Sequence, residues 1–297
     1  MSYYHDLATL IGIQMIAVLG VFVLTGLTGL MSFGQGGFMA LAAYTAALSH
    51  MKLGVPWPLS LLLGVVVSSV AAALFGYPAL RLKGDFFGLA TFGFGEAITA
   101  VFQIFTQLTG GSMGMAGIPR YTNLWLALGG LLLAIYLVAN LKRSRLGRSS
   151  LAIRGDELAA EGLGVDVFAH RLQVFVFSAA LAGLAGGMQA FLINYMDPRI
   201  FNWTTSVEQV IVVYFGGVNS LTGCLISAVI LSTLPELLQF LREWRVVLYG
   251  ILVILTLILR PQGLLGDHEF GPGALRALSG LLTRRRGSAP PGATGID

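Results

Sequence analysis

Three carboxylates, Glu96, Glu208 and Glu236, stand inside long apolar runs of a 297-residue chain, and Asp85 stands at the edge of another. A charge at the centre of a bilayer costs at least about 2.5 kcal/mol on insertion scales, so such a group must face a cavity or a partner. Glu96 has two readings: a group that lines or gates a pathway, and a structural hydrogen bond to a neighbouring helix. Glu208 and Glu236, near the probable interfaces of their segments, read as structural. His5, His50, His170 and His268 all lie in loops or termini, so no ladder of titratable groups suggests a proton pump. Glycine pairs flank polar residues in mid-segment at Phe33-Gly34-Gln35-Gly36-Gly37 and at Thr91-Phe92-Gly93-Phe94-Gly95-Glu96. Transport proteins break helices at such points and expose backbone groups to a pathway. Gln35, Gly93, Gly95 and Glu96 are therefore candidate pathway residues. Gly110 and Gly111, which open a Gly/Met/Pro-rich loop over 110–123, join them. The remaining glycine clusters read as close helix packing.

A second group of residues suits docking. Lys142-Arg143-Ser144-Arg145-Leu146-Gly147-Arg148 is followed by Leu151-Ala152-Ile153-Arg154-Gly155-Asp156-Glu157-Leu158-Ala159-Ala160-Glu161-Gly162-Leu163-Gly164. The second part reads as a short amphipathic helix, with Asp156 as its N-cap and acids favoured in its first turn. Leu158 falls on one face and Glu157 and Glu161 on another, and Gly162 and Gly164 end the helix. A helix of this kind between two spans needs a partner for its apolar side. A groove on a cytoplasmic motor supplies one, and a bed of lipid headgroups is the alternative. Arg154, Asp156, Glu157, Glu161 and Gly162 are the candidate coupling residues.

The elements that position these groups follow from composition. The chain is 56% hydrophobic and 11% charged, against about 25% charged in soluble domains. Its charges sit in short clusters between apolar runs, and roughly 20 apolar residues cross the hydrocarbon core as a helix. Nine such segments are predicted, at 7–31, 33–48, 58–80, 86–108, 124–141, 172–193, 207–217, 221–241 and 246–259. The second and seventh are short and glycine-interrupted, and read as full spans, half-helices or re-entrant segments. The first is too long for a signal-peptide core and reads as a retained span. With the N-terminus outside, 13 of the 18 Lys and Arg fall on the inner side and 5 on the outer, the bias expected of cytoplasmic loops.

The fold class expected is an all-α, polytopic transmembrane bundle of about 8–10 spans, some broken or re-entrant. Residues 1–265 read as the membrane domain, with a cytoplasmic coupling loop at about 141–170. Residues 266–297 read as a polar, disordered tail whose Arg284-Arg285-Arg286 meets anionic headgroups. The net charge of +4 follows from the inward bias, and no segment looks like a nucleic-acid module. The lone Cys224 rules out an intrachain disulfide and reads as a small packing residue. No GxxxxGK[ST], HExxH, metal-spaced cluster or Ser–His–Asp pattern occurs, so no cofactor, metal or catalysis is expected. If ATP drives the protein, another chain hydrolyses it.

Several stretches resemble the branched-chain amino-acid ABC-importer permeases, specifically the LivM-like member of the permease pair. They are Gly29-Leu30-Met31-Ser32-Phe33-Gly34-Gln35-Gly36-Gly37-Phe38, Pro78-Ala79-Leu80-Arg81-Leu82-Lys83-Gly84-Asp85-Phe86-Phe87, Thr109-Gly110-Gly111-Ser112-Met113-Gly114, the loop from Ser144 to Gly164, and Arg260-Pro261-Gln262-Gly263-Leu264-Leu265-Gly266. The resemblance covers about 24–266 and rests on the order of the motifs more than on any one. It implies a type II importer permease in the bacterial inner membrane. It also implies a LivH-like partner permease, two ATPase subunits and a periplasmic binding protein, with the loop at 156–164 as the coupling helix. Glu157-Leu158-Ala159-Ala160-Glu161-Gly162 departs from the wider EAA-x3-G pattern, and Gln35 stands where relatives often carry histidine. Relatives move branched-chain amino acids, urea, short amides or aromatic acids.

The expected function is ATP-driven uptake powered in trans. Two other classes compete: an ion-coupled secondary carrier acting alone, and a membrane enzyme, for which no polar cluster at one depth is found. Replacing both Glu157 and Glu161 by lysine is expected to abolish transport while the chain still assembles in the membrane. Normal uptake by that double variant, measured in cells, removes the coupling assignment.

Overall fold

A computed structural model describes residues 2–82 and 84–237, together with Gly250, Ile254, Gly263 and Leu264. Apart from Gly250 and Ile254, the ninth segment lies outside the described residues, as do the tail from 266 and the side chain of Glu236. The elements are α1 (Ser2–Thr28), α2 (Gln35–Leu53), α3 (Trp57–Ala79), α4 (Asp85–Ile104), α5 (Thr106–Thr109), β1 (Met115–Ala116), α6 (Leu124–Arg143), α7 (Arg145–Gly155), α8 (Glu157–Gly162), α9 (Val167–Ala190), β2 (Tyr195–Met196), α10 (Trp203–Gly216) and α11 (Leu221–Leu237). The fold is all-α apart from the two-residue strands β1 and β2, which pair antiparallel.

Among the described residues, five helices, α1, α3, α4, α6 and α9, are long and apolar enough to cross a membrane. The central helices α1 and α9 bury large side chains such as Ile16, Leu19, Phe22 and Phe175, whereas α3 turns its small residues inward and its large ones outward. The buried stripe of α3 is Ser60, Gly64, Ser68, Ala72 and Gly76, and its exposed side carries Leu59, Leu62, Val66, Val70 and Leu74. α6 follows it in part, with Ala127, Leu131, Ala134 and Val138 inside and Leu128, Leu132, Leu133 and Tyr136 outside. Lipid tails are as apolar as leucine, so large side chains gain nothing by turning inward, and small ones let backbones approach.

Helices α1, α2, α3 and α9 form the centre, and their glycines make the contacts. A Cβ on Gly186 of α9 would lie 2.2 Å from the Met39 carbonyl oxygen of α2. One on Gly20 of α1 would lie 2.8 Å from the Ser178 oxygen of α9, and one on Gly64 of α3 would lie 2.6 Å from the Ala42 oxygen of α2. Ser68 Oγ donates to the Ala179 carbonyl at 2.9 Å, fastening α3 to α9.

The loops gather at two poles. At one, the end of α1, the 81–84 turn, the 142–170 loop and the α10–α11 turn meet, bound by Arg154, Lys142 and Arg171. At the other, Asp6 pairs with Arg120, Lys52 reaches the Gln107 carbonyl at 3.3 Å, and Gly117 N–H donates to Asn194 at 3.0 Å. Of the ten described Lys and Arg, seven belong to the first pole.

Three local predictions change. The second segment is helical from Gln35 to Leu53, and 29–34 is non-helical because Gly29 takes φ +74° and turns the chain back into the bundle. The fourth segment stops at Ile104 and is followed by the single turn α5. The stretch before Asp156, for which no helix of its own is expected from the sequence, is the helix α7, capped by Ser144 Oγ accepting from Gly147 N–H at 3.2 Å.

Because a Cβ at Gly37 would sit 2.7 Å from Gly95 Cα, Gly37→Val must separate α2 from α4. It is expected to cost more than about 3 kcal/mol and to remove the monodisperse peak in detergent gel filtration. Gly129, whose Cβ meets nothing within 4 Å, is expected to accept alanine with unchanged yield.

Candidate functional site

Two interrupted helices meet at the middle of α4. At the start of α2, Gly34 and Gly37 face Thr91 and Gly95 so closely that a Cβ on Gly34 would lie 2.5 Å from the Thr91 oxygen. Phe33 N–H donates to Thr91 Oγ1 at 3.0 Å. On the other side of α2, Gly36 N–H donates to Ser206 Oγ of α10 at 2.8 Å, and its Cα faces the Phe201 carbonyl, 2.5 Å from a built Cβ. α10 begins here. Asn202 Oδ1 accepts from Thr205 N–H at 3.3 Å, and Glu96 Oε1 accepts from Trp203 N–H at 2.9 Å.

Glu96 lies eleven residues beyond the start of α4, about 16 Å along a helix rising 1.5 Å per residue. That is mid-bilayer for a core about 30 Å thick. The 14 residues of α10 cover about 21 Å, enough for the return from that depth to the first pole and too little for a full crossing. The positive end of a half-helix therefore lies inside the membrane, and the Glu96 carboxylate answers it.

This junction has an open side and a closed side. Glu96 is half-buried, Gly93, Ala97 and Ala100 are exposed, and a Cβ on Gly93 meets nothing within 4 Å. Phe92 and Trp203, both exposed, pack edge to face at 6.3 Å between centroids. Thr204 and Glu208 are exposed on α10. This surface, with its small and polar residues, differs from the Leu/Val faces of α3 and α6. Gly95 is on the closed side against α2.

Gln35 is fully inside the chain. Its Nε2 donates to Ser178 Oγ at 2.7 Å, and Ser178 Oγ donates to the Gly20 carbonyl at 2.7 Å, which links α2, α9 and α1. Its Oε1 has no partner among the described residues. Gly110 and Gly111 belong to the second pole. Both have positive φ, and a Cβ on Gly110 would lie 2.0 Å from the Gly114 oxygen. They fold the turn that brings Met115 beside Met196. The structure thus brings Gly93, Glu96 and, behind them, Gly95 together. It places Gln35 within the helix packing and Gly110 and Gly111 at one membrane face.

The segment from α7 to α8 has an inner and an outer side. Asp156 ends α7 and caps α8, its Oδ1 accepting from Ala159 N–H at 3.0 Å. Ala160 packs with Ile153 and Val167. Glu157 forms two bonds to Arg171 of α9, at 2.8 and 2.7 Å. Glu161 and Gly162 are exposed, and Leu158 and Leu163 project at 80% and 85% exposure. Arg154 turns inward, donating from Nη1 to the Gly26 carbonyl of α1 and to Asn219 Oδ1, both at 2.7 Å. Sequence reasoning missed Asn219, Trp203 and Leu163. The only signal for Asn219 was a polar residue in the Gly216-Gly217-Val218-Asn219-Ser220 break between two apolar segments.

A bundle of long apolar helices, with interrupted helices meeting inside it and a protruding helix pair at one pole, defines a polytopic membrane protein. The sequence profile of the family described as "Branched-chain amino acid transport system / permease component" matches residues 3–257. The chain belongs to that family. It is similar to the high-affinity branched-chain amino acid transport system permease protein LivM of Salmonella typhimurium, with 33% identity over 88% of this chain and 69% of that protein. The protein of the same name from Escherichia coli K12 is 32% identical over the same shares. Among solved structures, the chain is similar to PsaBC from Streptococcus pneumoniae in complex with Fab, with 15% identity, a TM-score of 0.48, and coverage of 86% of this chain and 90% of that one.

The Glu157–Arg171 pair is half-exposed on the glutamate side and holds the start of α8 to α9. Glu157→Lys places two cations together and is expected to lower the stability of the coupling segment by about 1 kcal/mol. Combining it with Arg171→Glu is expected to restore wild-type proteolytic resistance of the 142–170 loop, which Glu161→Lys leaves unchanged throughout.

Proposed function

We propose that this chain forms half of the membrane pathway of an ATP-driven importer of branched-chain and other hydrophobic amino acids. The observation that carries the substrate class is the 33% identity to a LivM permease across 88% of the chain. The working assembly contains this permease, a second LivH-like permease, two cytoplasmic ATPase subunits and a periplasmic binding protein. The pole rich in Lys and Arg faces the cytoplasm of a bacterial inner membrane, with the N-terminus periplasmic and the C-terminus cytoplasmic, in keeping with the basic bias.

Within the assembly the exposed junction at Glu96 is the pathway wall. Gly93 and Glu96 meet the aqueous side, and Gln35 and Gly95 hold the wall from behind. Gly110 and Gly111 shape its periplasmic mouth. The exposed Leu158 and Leu163, with Glu161 beside them, seat on an ATPase, and Asp156, Glu157 and Gly162 present them. ATP binding at the motor biases the pathway only if the motor grips its two states differently, and the α7–α8 pair is the contact through which it does so.

The test is uptake of radiolabelled leucine by the reconstituted five-component system. ATP inside the vesicles is expected to drive uptake, and the purified chain alone under an ion gradient is expected to give none. Transport by the chain alone overturns the reading. In the full system Glu96→Gln keeps an acceptor for Trp203 N–H but removes the charge opposing the helix end, replacing a charged hydrogen bond of about 1.5–3 kcal/mol by a neutral one of about 0.5–1.5 kcal/mol. Leucine uptake is expected to fall about tenfold or more with the complex intact.

A further inference from the structure

We infer that Arg154 is a positioning residue that carries the motor's movement through half-helix α10 to the mid-membrane junction; this rests on the importer reading above. Arg154 lies in the last turn of α7, two residues before the shared cap Asp156, and points away from the exposed Leu158 and Leu163. Its guanidinium bridges two elements that the sequence separates widely. One acceptor is the Gly26 carbonyl, at 2.7 Å, among the last carbonyls of α1 that no helical N–H satisfies. The other is Asn219 Oδ1, also at 2.7 Å, in the turn between α10 and α11. The stem lies over Gly29, where φ is +74° and a Cβ would come within 3.2 Å of Arg154 Cγ. Lys142, from the end of α6, reaches the main-chain oxygen of the same Asn219 at 2.9 Å. A single turn residue is thus gripped through its side chain by the coupling helix and through its backbone by the span before it.

The turn is itself stiffly joined to α10. Leu264 N–H donates to the Phe215 carbonyl at 2.8 Å, and a Cβ on Gly263 would lie 2.5 Å from Gly217 N. Ser227 Oγ donates to the Val212 carbonyl at 2.7 Å, which ties α11 to the same helix. Beyond these contacts α10 is an unbroken rod of 14 residues. Its far end is the Trp203 N–H bound to Glu96. A displacement of α7 by an ATPase is passed to Asn219, along α10, and onto the capped helix start beside Gly36 and Glu96. A purely stabilising Arg154 would only cap α1. The bond to Asn219 is what couples it to the pathway.

The experiment uses the reconstituted importer. Thr204→Cys, at the exposed mid-membrane end of α10, is labelled with an environment-sensitive thiol fluorophore; the native Cys224 is fully buried. With Arg154 intact, a non-hydrolysable ATP analogue is expected to change the fluorescence. In Arg154→Ala that response is expected to vanish. On the unlabelled importer with Thr204 intact, leucine uptake is expected to drop about tenfold or more, as a coupling of typical size requires, while ATP hydrolysis stays within about twofold. Asn219→Ala leaves the α1 cap in place and is expected to uncouple in the same way, which keeps the test open if Arg154→Ala does not assemble. Parallel loss of hydrolysis and uptake, undiminished uptake, or a label response that survives in Asn219→Ala overturns the inference. Absence of ATP-driven leucine uptake in the wild-type system overturns the importer reading itself and is read separately.

Discussion

Backbone-to-backbone contact between helices is what the rest of the structure depends on. At Gly20, Gly34, Gly37, Gly64 and Gly186 the neighbouring helix comes within the space a methyl group would need. In a bilayer, exclusion of water does not press apolar side chains inward, so association rests on dispersion contacts and short polar links. Those grow as the helices close up, and glycine, alanine and serine allow the closest approach. The links that accompany them, Gln35 to Ser178 to Gly20 and Ser68 to Ala179, are short and shielded from competing water.

The same constraint explains why interrupted helices gather where they do. The segment before α2 enters the membrane without helical hydrogen bonding, and the segment before α10 does so with only the short 3-10 turn Pro198–Phe201. Backbone groups at that depth must find partners within the protein. Thr91 and Ser206 supply them for Phe33 and Gly36, and Glu96 supplies one for Trp203. Glu96 therefore has a structural partner and an open flank at once. The two readings of this residue, pathway and scaffold, are compatible because the carboxylate that caps α10 also stands on the exposed side of the junction.

The basic pole divides its labour between two short helices. α8 presents leucines outward and fixes itself to α9 through Glu157 and Arg171. α7 lies beneath it and sends Arg154 into the bundle. Asp156 belongs to both, as the end of one and the cap of the other, so the pair shares one rigid corner. The outward Leu158 and the inward Arg154 are thus four residues apart in sequence and opposite in direction.

The sequence by itself determined that the chain lives in a membrane, where most of its spans run, which pole is basic and where the coupling segment is capped, because length, charge and capping chemistry are local properties. Eight of the nine predicted segments correspond to helices among the described residues, and the ninth lies largely outside them. The tertiary structure alone decided which face of each span turns inward. A span that is apolar on every side carries no stripe to read, so nothing local told Gly95, at a helix crossing, from Gly93, on an open face two residues away. Nor did it show that Gln35 turns into the packing or that Arg154 reaches Asn219. Those depend on partners 65 to 143 residues distant, and only the packing of helix against helix brings such partners together.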